Sequence, residues 1–465
     1  MNAGVGSFWC EHAVLPAGPG VRTEPNAVAE QGIRIEHGVR IEYSGGLITA
    51  VHPDVPARDR DQHLTGLVTP GFANAHSHAF HRALRGRTHA DGGSFWNWRE
   101  QMYRIAALLD PENYYELASA VFAEMACAGI TLVGEFHYVH HRPDGSRYDD
   151  DNAMADAVLA AAGRVGIRIT LLDTLYLRGG LDASGQPLPL SPQQARFGDG
   201  SIDAWHRRHA RLRDSAMARI GTGVHSLRAV DPSLLPAVAD LVGNSPVHAH
   251  VSEQPAENDQ VTAAYGRTPT RLFADAGLLG PLFTAVHGTH LTGEDIALLG
   301  DSGSSVCLCP TTERDLADGT GPALELQRAG AQLCLGSDQN AVIDMYEELR
   351  GLEMDQRLAT GQRGNFAPGA LLSTATANGY AALGWAGGVI AVGQVCDLVA
   401  TDTTSRRTAG ASLDQLWFAA GAADVTTVVV GGSTVVAGAR HRLGDVGSLL
   451  GAALAKVGVA KVGVA

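Results

Sequence analysis

A chain of 465 residues, 45% of them hydrophobic, is long enough for one large catalytic barrel with a smaller appended domain. Its formal net charge of −14 argues against nucleic acid or an anionic membrane as the main partner. No lysine precedes Lys456, which excludes Schiff-base, P-loop and pyridoxal-phosphate lysines from the body of the chain.

Residues 1–12 carry Trp9, Cys10 and Glu11 where a secretory leader would be basic and then apolar. No apolar run is long enough to span a bilayer, so a cytoplasmic protein is expected. Six cysteines (Cys10, Cys127, Cys307, Cys309, Cys334, Cys396) are scattered without a CxxC pair. That usage fits a reducing compartment and small buried hydrophobes. Cys307-Leu308-Cys309 could be half of a metal site, but its alternation suits a buried strand better.

Residues 7–66 read as short strands and turns, with alternating segments at 32–36 and 39–43 and a Ser44-Gly45-Gly46 turn. The apolar run 67–72 then leads into Asn74-Ala75-His76-Ser77-His78. Successive side chains of a strand point to opposite faces, so His76 and His78 project the same way. Segment 80–105 is long for a loop and rich in aromatics. Asp110-Pro111-Glu112 opens a helix that runs to Ala128-Gly129, with an N-cap acceptor followed by proline.

Further strands are predicted at 130–135, 167–172, 220–224, 247–251, 284–287, 305–309 and 332–335. With the strand before His76 these make eight, separated mostly by helical patterns, which points to a (β/α)8 TIM barrel. Segment 176–215 is another long connection, of the kind that carries a lid or specificity loop. Within it, Trp205-His206-Arg207-Arg208-His209 reads as a solvated helix face. Residues 388–440 return to short strands, so both termini are expected to join in one small β-sandwich domain. The division is then 1–66 with 388–445 for the β domain, 67–387 for the barrel and 446–465 for a C-terminal tail. That tail ends in a direct duplication, Lys456-Val457-Gly458-Val459-Ala460, to which no function is assigned.

The chemistry-bearing residues fall at the C-terminal ends of the predicted strands, the catalytic face of such a barrel. His76, His78, His250 and Asp338 form a candidate ligand set of three imidazoles and one carboxylate for a divalent ion. Such an ion lowers the pKa of a bound water toward about 7. Asp338 has a second reading as a turn or N-cap aspartate. Glu253, three residues after His250, can shuttle a proton to a departing amine, and His287 can orient the attacking water. His248 shares the face of His250 but lies deeper, so a structural role is expected for it.

The order HxH, histidine with glutamate three residues on, histidine, then aspartate, on a barrel with a split β domain, resembles the amidohydrolase superfamily in its deaminase branch. The resemblance covers nearly the whole chain. Closer motifs are Phe8-Trp9-Cys10-Glu11-His12-Ala13, His78-Ala79-Phe80-His81-Arg82-Ala83-Leu84 and Ser94-Phe95-Trp96-Asn97-Trp98-Arg99-Glu100-Gln101-Met102-Tyr103. To these add Glu135-Phe136-His137-Tyr138-Val139-His140-His141, His225-Ser226-Leu227-Arg228-Ala229-Val230 and Cys309-Pro310-Thr311-Thr312-Glu313. They are similar to members that deiminate N-formimino-L-glutamate in histidine degradation. The resemblance implies hydrolysis to N-formyl-L-glutamate and ammonia, with Glu253, His287 and Asp338 catalytic. It further implies one Zn2+ per subunit, with Fe2+ or another divalent metal open, and a homodimer. Relatives with two metals bridge them with a carbamylated barrel lysine, which this chain lacks; Glu135 is the one candidate substitute.

A substrate with two carboxylates needs fixed positive donors away from the metal, and arginine binds carboxylates bidentately. Arg99, Arg228 and His225 are the candidates, and Tyr138 and His81 resemble further substrate-contacting positions; His81 stands where some relatives carry glutamine. Arg99 as a helix-face ion pair and Arg228 as a structural clamp remain open. The alternative reading is another deaminase of the superfamily, acting on guanine, cytosine or an adenosine-like compound. A non-catalytic barrel is the alternative of a different class.

Overall fold

The computed structural model describes residues 4–18, 32–88 and 95–459. From the N-terminal part come β1 (Val5–Pro16), β2 (Ile33–Ser44), β3 (Leu47–His52) and β4 (Gln62–Pro70). The chain then turns at Gly71 into the barrel strands β5 (Phe72–Ser77), β6 (Ile130–His137) and β7 (Arg168–Leu175). After a short hairpin of β8 (Gly180–Leu181) and β9 (Pro187–Leu188) follow β10 (Ala218–Val224), β11 (Val247–Val251), β12 (Phe283–His287), β13 (Ser305–Leu308) and β14 (Gln332–Leu335). The C-terminal part supplies β15 (Leu398–Thr401), β16 (Val425–Val430), β17 (Ser433–Ala437) and β18 (Arg440–His441).

The eight central strands pair in the order β14-β13-β12-β11-β10-β7-β6-β5, every pair parallel. Their residues are almost all buried on both faces, as expected of strands with a filled interior inside and helices outside. The predicted helix after Asp110 spans Pro111–Cys127, with Asp110 and Asn113 forming a reciprocal capping box. All six cysteines are free thiols. Cys307, Cys309 and Cys334 pack with Ala75 and Val286 inside the barrel, so the alternation around Leu308 is a strand pattern.

The barrel closes beside the candidate ligands. A parallel bridge joins Ser77 to Asp338; Asp338 N–H donates to the His76 carbonyl, and His78 N–H to the Asp338 carbonyl, both at 3.0 Å. Asn74 reinforces the seam by accepting from Ser337 N–H at 2.9 Å and donating to Ser337 Oγ at 2.7 Å. Gly336 makes the approach feasible, because a Cβ there would lie 2.8 Å from both Cβ and O of His76.

Both termini meet in one eight-stranded sheet, ordered β18-β17-β16-β15-β4-β1-β2-β3, with β4 and β15 antiparallel at the join. Two local expectations fail. Residues from 446 are not a loose tail: Val446–Val457 is a helix with Leu450, Ala453 and Val457 buried, a spacing that makes one apolar face. The last residues of the duplication, 460–465, lie outside the described residues. The basic segment 205–209 is not a solvated face either. In the helix Ile202–His209, Trp205 and Arg208 are each 1% exposed, and Arg208 is clamped by Asp173 at 2.6 Å and Asp199 at 2.9 Å. Two carboxylates compensate the desolvation of that guanidinium. Among the described residues no helix is long and apolar enough to cross a membrane.

Candidate active site and metal centre

His76 and His78 leave β5, His250 leaves β11, His287 ends β12 and Asp338 follows β14, so all five converge on the C-terminal rim. Ligand atoms of His76, His250, His287 and Asp338 lie within 4.8 Å of one another, as do those of His78, His81 and Asp338. Asp338 Oδ1 is 3.3 Å from His76 Nε2 and 3.4 Å from His78 Nε2. His250 Nε2 is 3.1 Å from His76 Nε2.

The hydrogen bonds behind the rings test whether a cation fits. His78 Nδ1 meets the Phe136 carbonyl at 2.9 Å and His250 Nδ1 the His225 carbonyl at 2.8 Å. A carbonyl only accepts, so each Nδ1 carries the proton and each Nε2 presents a bare lone pair to the cluster. Burial holds the His76 imidazole down at about 3 and that of His250 at about 4, so both are neutral at pH 7. The Asp338 carboxyl stays well below the usual carboxylate range: burial opposes ionisation, but the His76 hydrogen bond and the surrounding histidines outweigh it. Convergent lone pairs around a carboxylate, with few protons between them, suit a divalent ion of the zinc or iron type.

His287 differs from its neighbours. Its Nδ1 faces Glu313 Oε1 at 3.4 Å and its Nε2 faces Glu253 Oε1 at 3.8 Å. Burial disfavours its cation, yet Glu253 and Glu313 together push its pKa up to about 10. Glu313 was visible in the sequence only as part of a motif. It is anchored by the Cys309 N–H at 2.8 Å, so the proline-started turn after β13 exists in part to aim His287. Backbone strain concentrates on this rim: Ser252, His287, Asp338 and Asn340 all have positive φ without being glycine.

A cavity of about 980 Å3, counting the space at its open mouth, rises from the cluster. Arg99, Tyr138, His81, His225 and Arg228 all line it, as do Glu253 and His287. His81 Nε2 meets the Tyr138 hydroxyl at 2.9 Å. Arg99, in the helix Phe95–Ala106, donates from Nε to the Tyr103 hydroxyl at 2.6 Å.

Two details depart from the sequence expectation. Arg228 is engaged: its Nη2 lies 3.2 Å from Glu253 and its Nε 4.0 Å from Glu257, a buried carboxylate outside the sequence motifs. His225 is not a cation. Burial, then His250 and Arg228, keep its pKa well below the usual value, so the wall carries two guanidiniums and a neutral imidazole. His225 also serves through its backbone, as the carbonyl that fixes the His250 tautomer.

His248 points away from the rim and meets the Ala382 carbonyl at 2.9 Å. Glu135 lies outside the ligand clusters among the described residues; it accepts from the Ala79 N–H at 2.6 Å, and burial pushes its pKa up to about 8.

Residues 67–435 match the amidohydrolase family. The formimidoylglutamate deiminase of Pseudomonas aeruginosa is 38% identical over 422 residues, which cover 87% of this chain and 92% of that protein. Among solved structures, an amidohydrolase from Brucella melitensis superposes with a TM-score of 0.87 at 33% identity, covering 97% of this chain and 99% of that one. An adenosine deaminase from Xanthomonas campestris with bound zinc superposes with a TM-score of 0.80 at 26% identity, over 98% of each chain.

Proposed function

This chain belongs to the amidohydrolase family, and we propose that within it the protein hydrolyses N-formimino-L-glutamate to N-formyl-L-glutamate and ammonia. The observation that carries the substrate reading is the placement of Arg99 and Arg228 on the wall of the cavity that is also lined by His78, His250 and Asp338. A dicarboxylate with a reactive amidine at its far end needs that division of labour. A nucleobase needs stacking surfaces and amide-type partners, and gains nothing from two guanidiniums.

His76, His78, His250 and Asp338 would hold one divalent cation, Zn2+ by donor type with Fe2+ also suited, which when bound acidifies water and polarises the amidine. The absence of a barrel lysine supports a single-metal site. Asp338 accepts a proton from water as its oxygen adds to the formimino carbon. His287, held by Glu313, donates from Nε2 toward that oxygen. Glu253 delivers that proton to the terminal nitrogen; the adduct hydroxyl then gives up its own proton, which the same carboxylates carry to that nitrogen, so the carbonyl forms as the carbon–nitrogen bond breaks and ammonia leaves. Arg228 and Arg99 bind the carboxylates, with His81, Tyr138 and His225 shaping the passage between. A cytoplasmic homodimer belongs to the same reading.

The test is ammonia release from N-formimino-L-glutamate, guanine, cytosine and adenosine by purified protein loaded with Zn2+. Turnover confined to formiminoglutamate and abolished by a chelator is expected. Turnover of a nucleobase instead would overturn the substrate assignment and leave the barrel and cluster standing.

A further inference from the structure

The long connection between β7 and β10 carries a buried amide that touches the site only through other residues. Gln194 is 4% exposed. Its Oε1 accepts from the Ser191 N–H at 3.0 Å, which fixes which way the amide points, because a backbone N–H only donates. Its Nε2 therefore faces three acceptors: the Tyr176 hydroxyl at 2.8 Å, the Gly179 carbonyl at 3.1 Å and the Tyr103 hydroxyl at 3.2 Å.

The Tyr103 hydroxyl also accepts from Arg99 Nε at 2.6 Å. Tyr176 packs its ring on His225, with centroids 4.5 Å apart. Tyr103, Tyr176 and Arg99 line the cavity, whereas Gln194 stands behind them. A few residues on, Arg196 is 1% exposed and holds the far end of the Arg99 helix. Its guanidinium donates to the Ala106 carbonyl, to Leu109 O at 3.0 Å and to His141 O at 2.8 Å. The connection is thus tied to the Arg99 helix at two points, one on the backbone and one on the side-chain layer facing the substrate.

We propose that Gln194 is a specificity-determining positioning residue: its amide aims Arg99 through the Tyr103 hydroxyl at a substrate carboxylate. A hydroxyl that accepts two N–H bonds still carries its own proton, and the Tyr176 hydroxyl, also held by Gln194, is placed to take it. The proposal rests on the dicarboxylate reading above. An arginine on a helix can sample many rotamers, and the bond from Arg99 Nε to the Tyr103 hydroxyl that Gln194 holds narrows that range before substrate arrives.

The experiment is steady-state kinetics with formiminoglutamate on wild type, Gln194→Leu, Arg99→Gln and the double variant, each with metal content measured. Gln194→Glu, which keeps an acceptor for Ser191 N–H and loses both amide donors, serves as the second single variant. KM is expected to rise about tenfold or more in either Gln194 variant, with kcat within about threefold. In the Arg99→Gln background the same change should add less than about threefold, since coupled residues are not additive. An unmoved KM, a fall in kcat alone, or a full multiplicative effect on top of Arg99→Gln would overturn the proposal while leaving the function intact. A metal-loaded wild type silent on formiminoglutamate would sink the substrate reading, and this proposal with it.

Discussion

Replacing Arg228 by methionine removes a guanidinium that two buried carboxylates share, 3.2 Å from Glu253 and 4.0 Å from Glu257. Glu257 Oε1 has no hydrogen-bond partner among the described residues and its Oε2 only the Glu253 N–H at 3.3 Å, while His287 stays 3.8 Å from Glu253, so the loss falls mainly on Glu257. Stranding buried charge in this way costs about 3–5 kcal/mol. An unfolding entropy of about 2.1 cal/mol/K per residue over 465 residues gives about 1 kcal/mol/K, hence a fall in Tm of about 3–5 °C. The deficit should depend on pH. Burial pushes the Glu257 carboxyl above the usual range, and Arg228 is the main influence pulling it back. Without the arginine it rises further. A carboxyl whose folded pKa is raised is tolerated while neutral and loses stability as pH climbs through the folded value. Melting curves of wild type and variant should therefore lie close at about pH 5 and diverge by about pH 8.

The same variant should lose a charge-assisted contact to substrate worth about 1.5–3 kcal/mol, raising KM about 10- to 150-fold. Because Arg228 also holds Glu253, kcat should fall as well, a consequence that considering the arginine as a carboxylate clamp alone would miss. Steady-state kinetics beside the melts decide it. An unchanged KM with a lowered Tm would make Arg228 a structural clamp and refute its place in substrate binding. An equal Tm deficit at both pH values would refute the electrostatic account.

Three further outcomes are expected. Glu253→Gln should keep its metal and lose about 10²- to 10⁴-fold in kcat, and surviving turnover would move proton transfer to another group. Chelation should abolish activity and lower Tm, with both restored by Zn2+ or Fe2+; a ligand at a thousand times its Kd adds about 4 kcal/mol to the native state. Activity in protein shown metal-free by elemental analysis would contradict the ligand assignment. Gly336→Ala would set a Cβ 2.8 Å from His76, forcing β14 off β5 at a cost of about 1–3 kcal/mol and separating Asp338 from His76. Metal content and turnover equal to wild type would show that the seam yields without opening the site.

The barrel was legible because its signals are local. Each strand is an apolar run closed by a turn, and the alternation in Asn74–His78 placed two imidazoles on one face before any contact was known. The order of His76, His78, His250, His287 and Asp338 along the chain needed only the barrel to become a ring of convergent atoms. What stayed hidden is made of pairs far apart in sequence. Arg228 and Glu253 leave different strands, and Gln194 reaches Tyr103 across 91 positions. No periodicity encodes such a meeting. The burial of Arg208 escapes the sequence for a related reason, since polarity alone reads as solvent. The strand expected at 167–172 stops one residue short of Asp173, which β7 in fact buries, and a buried aspartate demands a partner.

The strained rim explains why the seam is so heavily bonded. Ser252, His287, Asp338 and Asn340 hold left-handed backbone at φ of 54°, 69°, 40° and 57°, a conformation that costs about 1–3 kcal/mol for each non-glycine residue. Relaxed strand ends would let His287 and Asp338 follow the strand direction out toward solvent. Bent back, Asp338 faces His76 and His78 across the closure, and His287 turns its ring toward His76 and His250. Asn340 shows how the bend is kept: it accepts from Ser337 Oγ at 2.6 Å and donates to the His78 carbonyl at 3.0 Å. The residue that completes the turn after Asp338 thus ties down the strand end that carries the HxH pair. Strain on one strand and hydrogen bonds to the other are two halves of one device, and the distance between His76 and Asp338 is the quantity it controls.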